Sequence, residues 1–346
     1  MKIKQMCMLV LLWLGVIPAM QAQTFDKLWK EVEQAEKKSL PQTVIKLTGE
    51  IYQKGEMEKN SPQMLKAYMW RMKYRDMLTP DSLYTSLQEL EQWAKQADKP
   101  MDRAILHSLI AGMYADYAAN NQWQLRQRTE IAGEAPSADM REWTANMFVE
   151  KVRTNVKEAM ADSVLLLNTS SRTYIPFVEL GETSEYYHHD MYHLLASRSI
   201  EALQRIQGLD RTTPIEAYSE ETSSEKESLV KQDIERIYDQ MLTSYKAKGD
   251  KEGCLLTSLN YLNWKHGTSK SFREPFRVKK GGTYMTFDPY ETGLDALKTE
   301  YKSLDLCAEV YLAQANNAIG KEQETVALQL CDEAIRLYPG YRRINA

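Results

Sequence analysis

The fold is decided by residues 41–120, PQTVIKLTGEIYQKGEMEKNSPQMLKAYMWRMKYRDMLTPDSLYTSLQELEQWAKQADKPMDRAILHSLIAGMYADYAAN. Four prolines, Pro41, Pro62, Pro80 and Pro100, divide this stretch at intervals of 21, 18 and 20 residues. Proline suits the first turn of a helix, because its missing N–H has no partner there and its fixed φ already fits. Each proline therefore predicts the start of a new helix.

The spacing of the prolines also predicts how the helices are organised. Ser61 and Thr79 directly precede two prolines and are predicted N-caps. Every second proline recurs after 39 or 38 residues, which is the size of a two-helix repeat. We therefore expect an all-α fold of stacked helical hairpins, of the α-solenoid or tetratricopeptide-like type.

The apolar residues within this stretch indicate which helices are central. Val44, Leu47 and Ile51 form one stripe that a single helix cannot bury by itself. The helix after Pro100 is different, since apolar or small residues surround it almost completely, as around Leu109. We expect this helix to be closely packed at the centre of its neighbours.

Breaks in the helical pattern divide the rest of the chain. The apolar periodicity lapses around Gly133 and Pro136. A later stretch, residues 212–227, is rich in Ser, Thr and Glu and predicts an exposed linker. Glycines and prolines between residues 267 and 288 predict an irregular or β-hairpin insertion. The predicted regions are a signal peptide (1–22), an N-terminal hairpin array (23–120), a middle helical region (121–211), the linker (212–227) and a C-terminal helical region (228–346).

The C-terminal region is predicted to end in a helical hairpin. One long helix is expected to run through Leu294 and Tyr301 to Ala318, and a second from Glu324 to Leu337. Small residues and a proline follow the spacing of the second half of a tetratricopeptide repeat: Ala327, Ala334 and Pro339. No polar capping helix follows, which is unusual for the end of a repeat array and indicates a fragment of a longer protein.

The first 22 residues have the order of a secretory signal. Lys2 and Lys4 precede an apolar run of about 12 residues, and small residues lead to Ala22, after which we expect cleavage. That run is shorter than the roughly 20 residues a membrane-spanning helix needs, so no stable membrane span is expected after cleavage. We therefore expect an exported protein.

The charge balance restricts the partners. Cleavage leaves 42 basic and 48 acidic side chains, a net charge of −6, so broad binding to nucleic acid is not expected. Three cysteines remain in the mature chain, which allows at most one internal disulfide. Two interpretations stay open: a bridge between Cys307 and Cys331 on facing segments of the last hairpin, or buried free thiols.

Two histidines form the most specific candidate for a catalytic metal site. His189 and His193 are four residues apart, so on a helix they would share a face and could chelate zinc, with Asp190 in the position of a general base. Aspartate is one methylene shorter than the glutamate of the metalloprotease motif, and no third ligand follows at a recognisable spacing. Structural histidines are the alternative interpretation, and the zinc hydrolase is a remote hypothesis.

Sequence motifs for other catalytic chemistry are absent. The chain has no Gly-x-Ser-x-Gly elbow, no phosphate-binding Gly-x-x-x-x-Gly-Lys loop, no Gly-x-Gly-x-x-Gly and no Cys-x-x-Cys. We predict that the protein is not an enzyme and needs no cofactor.

A basic and aromatic stretch is the predicted partner surface. Aromatic residues and arginine are enriched at protein interfaces, and both occur in the predicted insertion near residues 267–288. The alternative is a solvated loop packed by its phenylalanines. The candidate residues are Phe272, Arg273, Phe276, Arg277, Lys279, Lys280 and Tyr284.

Long segments of the chain resemble the N-terminal helical region of alpha-2-macroglobulin-like proteins of Bacteroidetes-type bacteria. The resemblance covers the mature chain and lies in diffuse segments rather than in one diagnostic motif. The segments are TFDKLWKEVEQAEKKSLPQTVIKL from Thr24, SPQMLKAYMWRMKY from Ser61, LTPDSLYTSLQELEQWA from Leu78, DRAILHSLIAGMYADYAANNQWQLRQRT from Asp102, HHDMYHLLASRSIEAL from His188 and LYPGYRRINA from Leu337.

The resemblance implies a place and a role. It implies a long protein in which this helical part precedes β-sandwich domains and which inhibits endopeptidases by trapping them, in the periplasm or at the surface of a Gram-negative bacterium. This chain has neither the β-rich region nor a Cys-x-Glu-Gln thioester motif, so inhibition would need the longer protein. A stand-alone periplasmic scaffold that binds envelope proteins is the alternative.

Overall fold

The computed structural model describes residues 24–79, 82–128, 137, 139–181, 184, 186, 189–210, 228–273, 275–280 and 283–344. The predicted signal peptide and the predicted linker lie outside these residues, as does Pro80. The helices are α1 (Phe25–Lys37), α2 (Pro41–Met57), α3 (Ser61–Leu78), α4 (Ser82–Gln96), α5 (Pro100–Asn120), α6 (Gln122–Gln127), α7 (Ala145–Ala159), α8 (Ser163–Asn168), α9 (Met191–Ile206), α10 (Leu229–Lys248), α11 (Lys251–Thr268), α12 (Lys270–Arg273), α13 (Pro289–Glu300), α14 (Ala308–Gly320) and α15 (Glu324–Leu337).

A two-stranded antiparallel sheet is inserted between α12 and α13. Its strands are β1 (Phe276–Lys280) and β2 (Thr283–Phe287). Helices otherwise account for nearly all regular structure in the described residues, and many of them pack on the next helix along the chain, while α5 packs on α7 and α9. The prediction of an all-α stack of helical hairpins with a β-hairpin near residues 267–288 is confirmed.

The chain divides into two compact units. The first consists of the described residues up to Glu89 with Thr173–Glu179, and the second of Leu90–Arg172 with the residues from Leu180 onwards. In the first unit, α2 packs on both α1 and α3. Its core contains Val32, Val44 and Ile51, all fully buried.

The second unit is built around α5. This helix packs against α7 and α9, and its residues Leu106, Ile110 and Ala115 are almost completely buried on different sides. The prediction that the helix after Pro100 is central is therefore confirmed within this unit. The stack continues through the successive pairs α9–α10, α10–α11, α11–α13, α13–α14 and α14–α15.

In the described part of the chain, four helices end in the same type of turn. In each turn one residue has a left-handed backbone, and the next N–H bonds to the carbonyl five positions earlier, as in the Schellman motif. This geometry turns the chain tightly enough for the following helix to pack back on the one before it. The left-handed residues are Ser39, Lys59, Gly249 and Glu322, with φ of 54°, 52°, 68° and 61°.

The structure corrects one of the two predicted N-caps, Ser61. Asn60 caps α3, because its side chain accepts from the N–H of Gln63 at 3.3 Å, while Ser61 is the buried first residue of the helix. Thr79 is the C-cap of α3, and because residues 80 and 81 lie outside the described residues, its role as the N-cap of the next helix stays a prediction. Its carbonyl accepts from the N–H of Ser82, the first residue of α4, at 2.9 Å.

The predicted long helix through Leu294 to Ala318 is wrong in its continuity. The chain leaves the α-helix after Glu300 and passes through a short 3-10 turn before α14 begins. The hydroxyl of Tyr338 donates to the carbonyl of Lys302 at 3.2 Å, so a residue far along the chain stabilises the break. The predicted second helix of this hairpin, Glu324 to Leu337, is confirmed.

Of the two interpretations left open for Cys307 and Cys331, the structure has the free thiols and not the bridge, and Cys254 is also free and buried. The two side chains lie in different packing environments. Cys307 is buried with its Sγ 3.8 Å from the carbonyl of Lys298, while Cys331 packs beside Leu330 on the alanine cluster between α14 and α15.

Candidate protein-interaction surface

The predicted partner residues are brought together on the β-hairpin and the helical turn before it. Phe272 and Arg273 end α12, and Tyr284 lies on β2. The remaining four, Phe276, Arg277, Lys279 and Lys280, lie on β1. We call this set, with Val278 and Phe287, the hairpin surface.

The strand register sorts the hairpin surface into two faces. Directly opposite residues of an antiparallel pair share a face, and side chains alternate along each strand. Phe276 lies opposite Phe287, and their ring centroids are 5.1 Å apart. Lys279 lies opposite Tyr284 on the other face, with its Nζ 5.7 Å from the ring centroid. One face is therefore mainly apolar, with the Lys280–Thr283 pair at its end, and the other is basic with one aromatic ring.

The apolar and aromatic side chains of this hairpin face solvent to an unusual degree. The exposed fraction is 47% for Phe276, 42% for Val278, 65% for Tyr284 and 39% for Phe287. Among the described residues, each strand pairs only with the other. The backbone N–H and C=O groups along the outer edge of each strand are therefore available to pair with another strand. An isolated two-stranded hairpin is marginally stable in water, and a further strand or packing partner stabilises it.

Val278 and Phe287 are missed by the sequence prediction. The signal that could have found them is the alternation of period two, in which positions 276 and 278 share a face. The short length of the strands, five residues each, makes that alternation hard to distinguish from an irregular loop.

The base of the hairpin is held rigidly. Asp288 follows β2 and caps α13 by accepting from the N–H groups of Tyr290 and Glu291 at 3.0 and 3.1 Å. The Nζ of Lys321 donates to the same carboxylate at 2.8 Å. Partial burial acts to raise the pKa of Asp288, but the bonds from Lys321 and the two N–H groups outweigh it and the pKa is lowered.

Phe272 and Arg273 extend this anchor on the other side. The Nζ of Lys265 lies 5.6 Å from the centroid of the Phe272 ring, which is half-buried. Arg273 donates to the carbonyl of Gly267 at 2.7 Å. These two residues therefore hold the hairpin to α11, while the strand residues remain exposed.

The candidate zinc pair does not share a helix face. Met191 is the first residue of α9, so His189 precedes the helix and the prediction of a helical i, i+4 pair is wrong. Asp190 is the N-cap: its carboxylate accepts from the N–H of His193 at 2.8 Å and from Lys248 Nζ at 2.7 Å. The carboxylate predicted as a general base is therefore already engaged.

His193 has the environment of a packed structural histidine. Its Nδ1 is hydrogen-bonded to the hydroxyl of Tyr245, which is fully buried. Burial lowers the pKa of His193 to about 4 against the opposing charges of Asp190 and Asp250, so the ring is neutral at pH 7. Within the described ranges, no group of three or more His, Cys, Asp or Glu side chains is placed to hold a metal ion.

No family model, curated protein or solved structure matches this chain. The resemblance to alpha-2-macroglobulin-like proteins therefore stays a prediction from the sequence. Of the helices in the described part of the chain, none has both the length and the apolar character needed to cross a bilayer.

Proposed function

We propose that this protein is a non-catalytic helical scaffold that binds a protein partner through the hairpin surface. The observation that carries the proposal is the exposure of four apolar or aromatic side chains on a rigidly anchored hairpin. Exposed aromatic rings on a rigid element lose little conformational freedom when they are buried by a partner. Full burial of one such side chain contributes about 1.5–3 kcal/mol.

The geometry favours a partner that covers the apolar face or adds a strand. An extended segment can pair with a free strand edge through its backbone, while pockets for alternate side chains give specificity. Phe276 and Phe287 would be the apolar anchors of such a complex. Arg277 and Lys279 on the opposite face favour acidic groups at the rim of the partner.

The proposed setting is the bacterial envelope. The basic, apolar and small-residue order of residues 1–22 supports export. The resemblance of the helical segments supports a role as the leading part of an alpha-2-macroglobulin-like protease inhibitor, in which inhibition belongs to the full-length protein. The scaffold would then position other parts of the inhibitor or recruit a protease. The trapping chemistry would reside in those other parts.

The test is a capture experiment with the mature chain on a solid support and an envelope extract. Bound proteins are identified by mass spectrometry and compared between wild type and the double variant Phe276→Ser/Tyr284→Ser. We expect the variant to lose a defined subset of proteins, including proteases or envelope proteins. With a purified partner, the loss should be at least about tenfold in Kd, since anchors of this type contribute about 2 kcal/mol each.

A matched control is Met57→Ser/Met77→Ser, which changes two exposed apolar residues of the first unit that are not part of the hairpin surface. This control should capture the same proteins as wild type. The proposal fails if both double variants capture the same set as wild type, or if the purified chain hydrolyses a peptide or ester substrate.

A further inference from the structure

A second surface lies in the second unit, beside the base of the hairpin. Two cavities, of about 750 and 460 Å³, flank α11 and share Asn260 and Asn263 in their walls. The first lies between α9 and α11 and the second between α11 and α14. Because they share a wall, we treat them as one groove that crosses three helices.

Side-chain carboxamides are the most numerous kind of polar group in the lining of this groove. Each carboxamide has one acceptor and two donors and carries no charge, which is the hydrogen-bonding character of a peptide unit. We call the set the carboxamide groove. Its members are Gln204, Gln207, Asn260, Asn263, Asn316 and Asn317.

Asn263 and Gln207 each use their side-chain oxygen as an acceptor within the protein, so their side-chain N–H donors remain available to a ligand. The hydroxyl of Tyr290 donates to Oδ1 of Asn263 at 2.7 Å, which leaves the Nδ2 donors of that residue. Nε1 of Trp264 donates to Oε1 of Gln207 at 3.0 Å, which leaves the Nε2 donors. Both groups are therefore oriented in advance to bond carbonyl oxygens.

Other members complement these donors. Asn317 donates through Nδ2 to a carboxylate oxygen of Glu291, which leaves its Oδ1 as an acceptor. Asn260 and Asn316 are exposed, and among the described residues neither side chain has a protein hydrogen bond. The groove thus combines fixed donors, a fixed acceptor and two adaptable groups. A polypeptide backbone presents this alternation of carbonyl and N–H groups.

The lining disfavours a polyanion and a sugar. Arg343, a cation of the described lining, is paired with Glu309 at 3.1 Å, so it is not available to phosphates. Trp264 and Tyr290 are 8% and 6% exposed, so neither presents an open ring face on which a sugar could stack. A neutral chain with regularly spaced amides fits this lining best.

We propose that the carboxamide groove binds an extended segment of polypeptide mainly through its backbone. The groove runs from α9 past α10 and α11 to α14, so a ligand that contacts all of it must be extended. Recognition through carboxamides predicts tolerance of many side chains and dependence on backbone N–H groups.

The test uses random 12-residue peptides displayed on phage, selected on the immobilised mature chain. Enriched peptides are synthesised with a fluorescent label, and their Kd is measured by anisotropy. Asn260→Ala/Asn316→Ala should raise Kd at least tenfold. Gln329→Ala, an exposed carboxamide on α15 outside the groove, should leave Kd unchanged.

Backbone recognition has its own control. Peptides with N-methylated central amides should lose at least tenfold in affinity, whereas a peptide with the same residues in shuffled order should still bind. Absence of enriched peptides, equal Kd for wild type and Asn260→Ala/Asn316→Ala, or full binding of the N-methylated peptide would overturn the proposal.

The two proposals fail independently. The inference does not rest on the hairpin surface, so Phe276→Ser/Tyr284→Ser should retain peptide binding. If that variant loses the selected peptides while Asn260→Ala/Asn316→Ala keeps them, the peptides bind the hairpin surface and the groove proposal is overturned. All substituted positions are exposed, and circular dichroism with thermal unfolding verifies that each variant is folded.

Discussion

At the scale of single residues, three of the four left-handed turn positions are not glycine. Ser39, Lys59 and Glu322 adopt a backbone that disfavours side chains, whereas Gly249 adopts it freely. The turn is therefore imposed by the packing of the helices on either side of it. Glycine occurs at one such position only, so a search for glycine would not have located these turns.

This geometry gives a prediction for Gly249→Ala. An added Cβ would meet no atom within 4 Å, so the effect comes from the left-handed backbone alone. We expect a loss of about 1 kcal/mol in the free energy of unfolding, measured by urea denaturation.

The matched control is Gly49→Ala in the interior of α2, where an added Cβ also meets nothing within 4 Å. Helix propensity predicts a gain of up to about 1 kcal/mol there. The same sign of change at both positions would contradict this explanation of the turns.

His193 gives a prediction for pH. The pKa of His193 is lowered to about 4 in the folded chain, below the ordinary 6.5. Between these two pH values the unfolded state is protonated at His193 and the folded state is not. Stability from this residue is complete above pH 6.5 and falls as the pH drops towards 4. Between pH 7 and 4.5 the loss should be roughly 2–3 kcal/mol.

The measurement is urea unfolding at both pH values for wild type and His193→Gln. Glutamine keeps a polar group that can bond the Tyr245 hydroxyl but does not titrate. The variant should lose less stability than wild type over this interval. An equal loss in both proteins would show that other groups cause the acid sensitivity.

At the scale of elements, α5 differs from its neighbours because it is buried on several sides. Leu106 is fully buried in a helix that contacts both α7 and α9. Truncation of a core leucine removes its transfer free energy and leaves a cavity.

We therefore expect Leu106→Ala to cost about 2–5 kcal/mol, measured by chemical denaturation. Met57→Ala, at a side chain that is 79% exposed, should stay within about 0.5 kcal/mol of wild type. A small effect at Leu106 would mean that α5 is not the central helix of its unit.

At the scale of the whole molecule, charge is unevenly distributed. The mature chain is expected to have a net charge of −6, yet the hairpin surface contains Arg273, Arg277, Lys279 and Lys280. Such a local basic surface steers an acidic partner by long-range attraction, which salt screens over about 10 Å at 0.1 M.

With the partner recovered in the capture experiment, we expect the association rate to fall between 50 and 500 mM NaCl. Arg277→Glu/Lys279→Glu should slow association at low salt, as measured by surface plasmon resonance. Lys30→Glu/Lys95→Glu changes the net charge equally at two exposed positions elsewhere and should leave the rate near wild type. Equal slowing by both variants would indicate that only total charge matters.

The sequence by itself determined the class of fold, most helix positions and the place of the hairpin. Proline position and apolar periodicity are local, and they suffice to predict helices because each helix bonds within itself. The basic and aromatic residues around Phe276 are contiguous in the chain, so the proposed partner surface could be predicted from the sequence.

Only the tertiary structure decided which of the local sequence signals for caps and helix boundaries are realised in the fold. Ser61 had the character of an N-cap but is buried, and the helix through Leu294 broke where Tyr338 bonds Lys302 from 36 residues away. The carboxamide groove is assembled from three helices far apart in sequence, so no local pattern could predict it. Caps, breaks and grooves depend on which surfaces meet, and that is set by packing between distant segments.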